Sequence, residues 1–142
     1  MGAKMVLSHE QKAIRKLFAE LQNVTPQTFP TSGFPDAPCA RGVYIIYAPG
    51  GDVAHVGSTP RAKNGLRQRL HNHMQGQSSF AIKRFSGSKK KIGSQLRGRY
   101  KFKCLPVPGT RQRALLEAYA IGHLCPHHIG HGTRKGEVTL DS

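Results

Sequence analysis

Residues 41–73, RGVYIIYAPGGDVAHVGSTPRAKNGLRQRLHNH, constrain the fold more than any other stretch of the chain. Two short apolar runs, GVYIIYA and DVAHVG, flank Pro49-Gly50-Gly51. A β-hairpin satisfies that pattern, because glycine supplies the positive φ that tight turns between paired strands need. A helical pattern follows, opening near Asn64 and closing near Gln75, with Leu66, Leu70 and Met74 as its apolar stripe. Arg69 and His73 fall inside that stripe, at i+3 and i+7 from Leu66. A charge serving only solubility belongs on the opposite side, with Arg67, Gln68, His71, Asn72 and Gln75. Arg69 and His73 are therefore expected to face a cleft against the hairpin.

The rest of the chain arranges itself around this unit. Ser8-His9-Glu10-Gln11 has the form of a capping box, and Ile14, Leu17, Phe18 and Leu21 recur at helical spacing, so residues 8–22 are expected to form an amphipathic helix that braces the core. The following stretch, 22–40, carries prolines at 26, 30, 35 and 38 and reads as an extended connection. Beyond the motif helix, 76–98 is polar, rich in Gly and Ser and strongly basic, with Phe80 and Phe85 interleaved among lysines and arginines. A short helix around 80–85 and then a mobile loop are expected there. Residues 99–107 alternate, with Tyr100, Phe102 and Cys104 against Arg99, Lys101 and Lys103, which predicts a third strand with one basic face. Thr110 is placed to cap a last helix running to about Leu124, whose apolar residues point in nearly every direction and predict deep burial. The expected fold class is α+β, a small three-stranded antiparallel sheet flanked by helices. It divides into an N-terminal helix and connection (1–40), a central domain (41–130) and a His- and Gly-rich tail (131–142).

A formal charge of +15 on 142 residues, with a pI near 10.4, makes a field that draws polyanions. Nucleic acid is the first partner this suggests, an anionic membrane surface the second. No run reaches the roughly 18 apolar residues of a membrane span, and the N-terminal residues lack a signal-peptide core. Cys39, Cys104 and Cys125 are odd in number and scattered. These features lead us to expect a cytoplasmic or nucleoid-associated protein, not a secreted one, with reduced thiols. Lys89, Lys90 and Lys91 lie in a segment with no offsetting acids and are expected to contact nucleic acid rather than merely solvate the surface. Cys125, His127, His128 and His131 invite a zinc reading, which the lack of paired Cys spacing weakens.

In order along the chain, Gly42-Val43-Tyr44, then His55-Val56-Gly57 about ten residues on, then Arg69-Leu70 with His73, then Glu117, resemble the GIY-YIG nuclease family over roughly 41–129. The resemblance implies a magnesium-dependent DNA endonuclease, with Mn2+ able to substitute, acting on double-stranded DNA and possible as a homodimer for restriction-type cleavage. It assigns Tyr44 as the base that activates water, Arg69 as the group that offsets charge on the phosphoryl oxygens, Glu117 as the metal ligand and His73 as a support. Free tyrosine, with a pKa near ~10, is a poor base at neutral pH, and Arg69 and the positive field are expected to favour phenolate. Gly57 keeps the backbone open beside the site, while Ser58, Arg61 and Lys63 are expected phosphate contacts.

Glu117 is the single acid between Asp52 and Glu137. A lone carboxylate in an apolar helix needs a cation or hydrogen bonds to offset its desolvation, so a metal ligand and a salt bridge to a nearby arginine are both open on spacing alone. Two departures from the family pattern matter. His55 stands where a tyrosine is usual, and it either holds the water, acts as base itself, or marks reduced activity. No asparagine follows Pro126, where His128 is the nearest substitute. These departures motivate the alternative of a non-cleaving DNA-binding protein on the same fold; a basic RNA-associated protein is a third, more remote reading.

Overall fold

A computed structural model describes residues 7–129. The tail expected at 131–142, and with it His131 of the zinc reading, lies outside the described residues. The elements run in the order α1 (His9–Gln22), β1 (Gln27–Thr28), β2 (Gly42–Tyr47), β3 (Val53–Thr59), α2 (Gly65–Met74), α3 (Ser79–Arg84), α4 (Lys89–Leu96), β4 (Lys101–Pro106) and α5 (Thr110–Leu124). The class is α+β, and the sheet is antiparallel with strand order β1-β4-β2-β3.

The hairpin forms as its sequence dictates. Tyr44 pairs with Gly57 and Ile46 with His55. The turn is closed by Ala48 N–H on the Asp52 carbonyl (2.8 Å) and Gly51 N–H on the Ala48 carbonyl (2.9 Å). Gly51 has φ +99°, which a residue with a Cβ rarely adopts. β2 is interior to the sheet and buried along nearly its whole length, so its side chains feed two cores. Val43 and Ile45 join Ile14, Phe18, Leu21, Val56, Leu116 and Ala120 under α1 and α5. Tyr44 and Ile46 join Leu66, Leu70, Met74, Phe80 and Phe102 under α2, α3 and α4. The capping box of α1 is complete: Ser8 Oγ accepts from Gln11 N–H (3.1 Å) and Gln11 Oε1 accepts from Ser8 N–H (2.7 Å).

The sheet has four strands, not the three expected. The additional one is β1, two residues inside the proline-rich connection, where Gln27 pairs with Phe102 and Thr28 with Lys101. Phe29, which follows, is fully buried against Phe102 and anchors the connection. A two-residue strand carries no alternation to read. The expected mobile loop after 85 is corrected in turn: residues 89–96 form α4, capped by Ser88 and held down by Ile92 and Leu96. Three adjacent lysines disguise a helix whose apolar pair, at i and i+4, is its anchor.

The basic face of β4 is reduced as well. Lys101 is exposed, but Lys103 Nζ donates to the Gln22 carbonyl (2.6 Å) at the end of α1, where a cation meets the negative end of the helix dipole. Thr110 is the first residue of α5 rather than its cap; Gly109 holds that position without a side-chain hydrogen bond. Of α5, only Arg113, Leu116 and Ala120 are buried, because the helix packs on α1 and the sheet with its outer side in water. Arg113 is satisfied by donating Nη1 to the Val107 and Pro108 carbonyls, at 3.0 and 3.2 Å.

Candidate active site

β3 lies at one end of the strand order, and among the described residues backbone hydrogen bonds close only the first part of its free side. His127 N–H donates to the Val53 carbonyl (3.0 Å) and His128 N–H to the Ala54 carbonyl (2.9 Å). Next to the other half, Tyr44, His55, Gly57, Ser58, Arg69, Ser79 and Glu117 line a hollow of about 260 Å³. The sheet register explains the meeting. Gly57, opposite Tyr44, faces α2, while Ser58, opposite Val43, faces α5. Groups from both faces of the sheet therefore converge on one hollow.

Gly57 is required by its neighbour. A Cβ there would collide with the Tyr44 hydroxyl and ring, so the phenol occupies the space that a side chain on β3 would need. Around the phenol the buried polar groups form one chain. Arg69 Nε donates to the Tyr44 hydroxyl at 3.2 Å, that hydroxyl lies 2.7 Å from His73 Nε2, and His73 Nδ1 lies 2.6 Å from Ser78 Oγ. Ser78 Oγ also accepts from Ala81 N–H at 3.1 Å as the cap of α3. A consistent assignment puts the His73 proton on Nδ1, donated to Ser78, and lets Nε2 accept from the phenol. The expectation that Arg69 and His73 face the hairpin is met in this geometry.

Burial sets the protonation of the site. It pushes the Tyr44 phenol up to about 12, against the opposing pull of the Arg69 charge and hydrogen bond. The sequence favoured phenolate; the folded environment favours the neutral phenol, because losing water costs the anion more than one guanidinium returns. His55 is pushed down to about 3, first by burial and then by His128. Its ring stacks on Phe80, centroids 5.0 Å apart, and its Nδ1 lies 3.4 Å from the His128 carbonyl. His55 is therefore uncharged near neutral pH. His73 is held well below the ordinary histidine value by burial, with His55 and Arg69 adding to the shift. All three aromatic groups are neutral at pH 7.

Glu117 enters from α5, half-buried, and accepts from the Ser58 hydroxyl at 2.7 Å. Among the described residues no cation lies within ion-pairing distance of it, so the salt-bridge alternative is not what the carboxylate does here. Among those same residues no group of three His, Cys, Asp or Glu side chains could hold a metal ion as an all-protein cage. Neither a known family model nor a curated protein matches the chain.

The other expected contacts are spread outward. Arg61 lines a second hollow, also of about 260 Å³, which shares Ser58 and Arg69 with the first. Lys63 is exposed in the connection between β3 and α2. Lys89 and Lys90 line a separate groove, and Lys91 packs its stem beside Gly87, so the lysine triplet is not part of the hollow. Cys39 and Cys125 are exposed free thiols and Cys104 is a half-buried one. Sequence reading missed Ser78 and Ser79. The signal was present as a serine three residues before a buried alanine, the usual form of a helix cap, but it sat inside a segment whose composition suggested loop.

Proposed function

We propose that this protein is a DNA phosphodiester hydrolase working in the manner of the GIY-YIG nucleases, with Tyr44, Arg69, His73 and Glu117 as its catalytic set. The observation that carries the reading is the convergence of a phenol, a guanidinium and a lone carboxylate, from β2, α2 and α5, on one hollow of about 260 Å³. Hydrolysis of a phosphodiester needs a positive group at the phosphoryl oxygens, a proton acceptor for water and relief of charge on the leaving oxygen.

Arg69 supplies the first. Its Nε is spent on Tyr44, which leaves the terminal N–H groups to grip two phosphate oxygens in the fork geometry that suits them. Tyr44 and His73 supply the second as a relay. The phenol is not a resident anion, so it passes its own proton to His73 Nε2, 2.7 Å away, as it takes one from water. An anionic substrate in this dry site favours an imidazolium beside it and disfavours a free phenolate, and both effects push the proton the same way. Ser78 holds the imidazole in the receptive tautomer.

Glu117 fits a hard divalent cation of the Mg2+ kind. It offers oxygen donors, its neighbour is a hydroxyl rather than a competing cation, and Mg2+ ordinarily keeps several waters and takes one or two carboxylates plus substrate phosphate. When bound, such an ion supplies Lewis-acid relief at the leaving oxygen. One specific observation favours the non-cleaving alternative, the pull of burial toward neutral Tyr44, His55 and His73.

A plasmid-nicking assay with Mg2+ or Mn2+ separates the two. Arg69→Ala is expected to slow nicking by roughly 10²–10³-fold, the usual loss for one preorganised donor, and Glu117→Ala to abolish it with DNA binding kept. Wild type that binds DNA yet never cuts it, whatever the divalent metal, would establish the binder instead.

A further inference from the structure

Beyond the hollow at Glu117, basic groups stand at both ends of α2: Arg61 and Arg69 at one, Lys89, Lys90 and Arg97 at the other. We infer that one DNA backbone follows the outer face of α2, from the Arg69 hollow to the lysines of α4. The polyanion is named on the strength of the hydrolase reading above; the track itself rests on separate residues.

α2 presents three kinds of surface. Leu66, Leu70 and Met74 are buried in the core. Arg67 and His71 clamp the Phe34 ring, with the guanidinium 4.5 Å from its centroid and the imidazole stacked at 3.7 Å. Apart from Arg69 and His73 at the hollow, what remains is Gln68 and Asn72, continued by the C-cap Gln75, at i, i+4 and i+7 on a stripe that is partly to fully exposed. At its N-terminal end this stripe lines the second hollow beside Arg61 and Arg69, and that hollow shares Ser58 and Arg69 with the catalytic one. At its C-terminal end Gln75 lines a groove of about 670 Å³ with Gln77, Lys89, Lys90 and Arg97. No carboxylate lines either of these two spaces.

The chemistry of the stripe suits a phosphate chain. Gln68 Nε2 donates to Asn72 Oδ1 at 2.8 Å, which fixes both amides and uses one of their four N–H hydrogens. The others are available to anionic oxygens. Amides carry no charge of their own, so they grip a backbone without the repulsion that a denser row of arginines would suffer. The 10 residues of α2 extend about 15 Å, so the track takes a short run of phosphates on one strand. Arg97 contributes less than its charge suggests, because its Nη1 is held by the Pro30 and Gly33 carbonyls. Gln68, Asn72 and Gln75 are thus positions for holding substrate, not for cutting it.

The test measures binding of the full-length chain to a fluorescently labelled 20-base-pair DNA duplex over a range of salt, with EDTA present to prevent cleavage. Lys89→Ala/Lys90→Ala is compared with Lys12→Ala/Lys16→Ala, which removes the same charge from α1 across the sheet. The first is expected to weaken binding and to flatten the plot of log affinity against log salt by roughly 1 to 2, and the second to leave that slope unchanged. Gln68→Ala/Asn72→Ala, which alters no charge, is expected to weaken binding roughly three- to tenfold with the slope kept. If the α4 pair behaves like the α1 pair and the amide pair binds as wild type, the track is wrong. Wild type that nicks plasmid under those results keeps the hydrolase reading and loses only the track. Binding that depends on these residues without any nicking keeps the track and ends the hydrolase reading. Absence of DNA binding by wild type overturns both.

Discussion

The two faces of the sheet are built from the same strands and serve different ends. Under α1 and α5 the buried cluster is hydrocarbon throughout, from Ile14 and Leu21 to Val43, Ile45 and Leu116. Under α2, α3 and α4 an equally dry cluster contains Tyr44 and surrounds His55, His73 and Ser78. The first face contributes mainly burial, with Tyr47 at its edge the one group there whose pKa burial raises among the described residues. The second accepts the desolvation of four polar groups, and it can do so because each has a hydrogen-bond partner, supplied by α2, the cap of α3 and the segment after α5. An apolar cluster on one face and a buried polar network on the other are joined through β2, whose alternate residues belong to each.

The largest expected contrast between the faces is in pH dependence. His55 and His73 have folded-state pKa values below the unfolded value, so the unfolded chain binds protons first as pH falls. Stability is expected to hold above about 6.5 and to fall below it as the unfolded chain takes up protons that the buried imidazoles refuse, with His55 still contributing down to about 3. On the alkaline side, Cys104 is pushed up to about 11 by burial and Tyr44 to about 12. Both favour the fold while protonated, so the plateau ends as pH rises past the free-thiol value of 9.0. Urea denaturation at a series of pH values measures this. A flat profile from pH 7 to 4 would mean that the polar face is not dry.

Leu116→Ala tests the other face. Removing a fully buried leucine is expected to cost about 2–5 kcal/mol, the cavity range, while leaving the acid-dependent slope as in wild type. Chemical denaturation at pH 7 and at pH 5 reads both quantities; a changed slope would show the two cores to be coupled. Ser78→Ala is expected to cost about 1–3 kcal/mol, because a buried imidazole N–H loses its acceptor, and to lower nicking far more than the stability change alone explains. Ser78→Thr keeps the hydroxyl and is expected to restore most of the rate. A Ser78→Ala variant with normal nicking would detach His73 from the chemistry. Smallest is Ser8→Ala at the α1 cap, about 1 kcal/mol in thermal or urea unfolding with nicking untouched.

Which parts were legible in the sequence follows the same division. The hairpin, α2 and the α1 cap were readable because their signals are local: a Gly turn between apolar runs, a 3.6-residue stripe, a Ser with Gln three residues on. Arg69 and His73 stood out by breaking that stripe. The placement of Glu117 beside Ser58 was not readable, since it depends on how α5 crosses the sheet, 59 residues away in sequence. The neutral state of Tyr44 was also out of reach, because the sequence shows the arginine that lowers its pKa but not the depth of burial that raises it. α4 was misread for a nearer reason. Charge dominated a segment whose anchors are two aliphatic residues, and β1 was too short to have a period at all.

Both sides of the sheet are guarded against being extended. β1 is two residues long, and β3 is stitched over its first half by the backbone of His127 and His128. Among the described residues the stitch stops short of Gly57, and the stretch of β3 beyond it forms one rim of the hollow that Tyr44, Arg69 and Glu117 line.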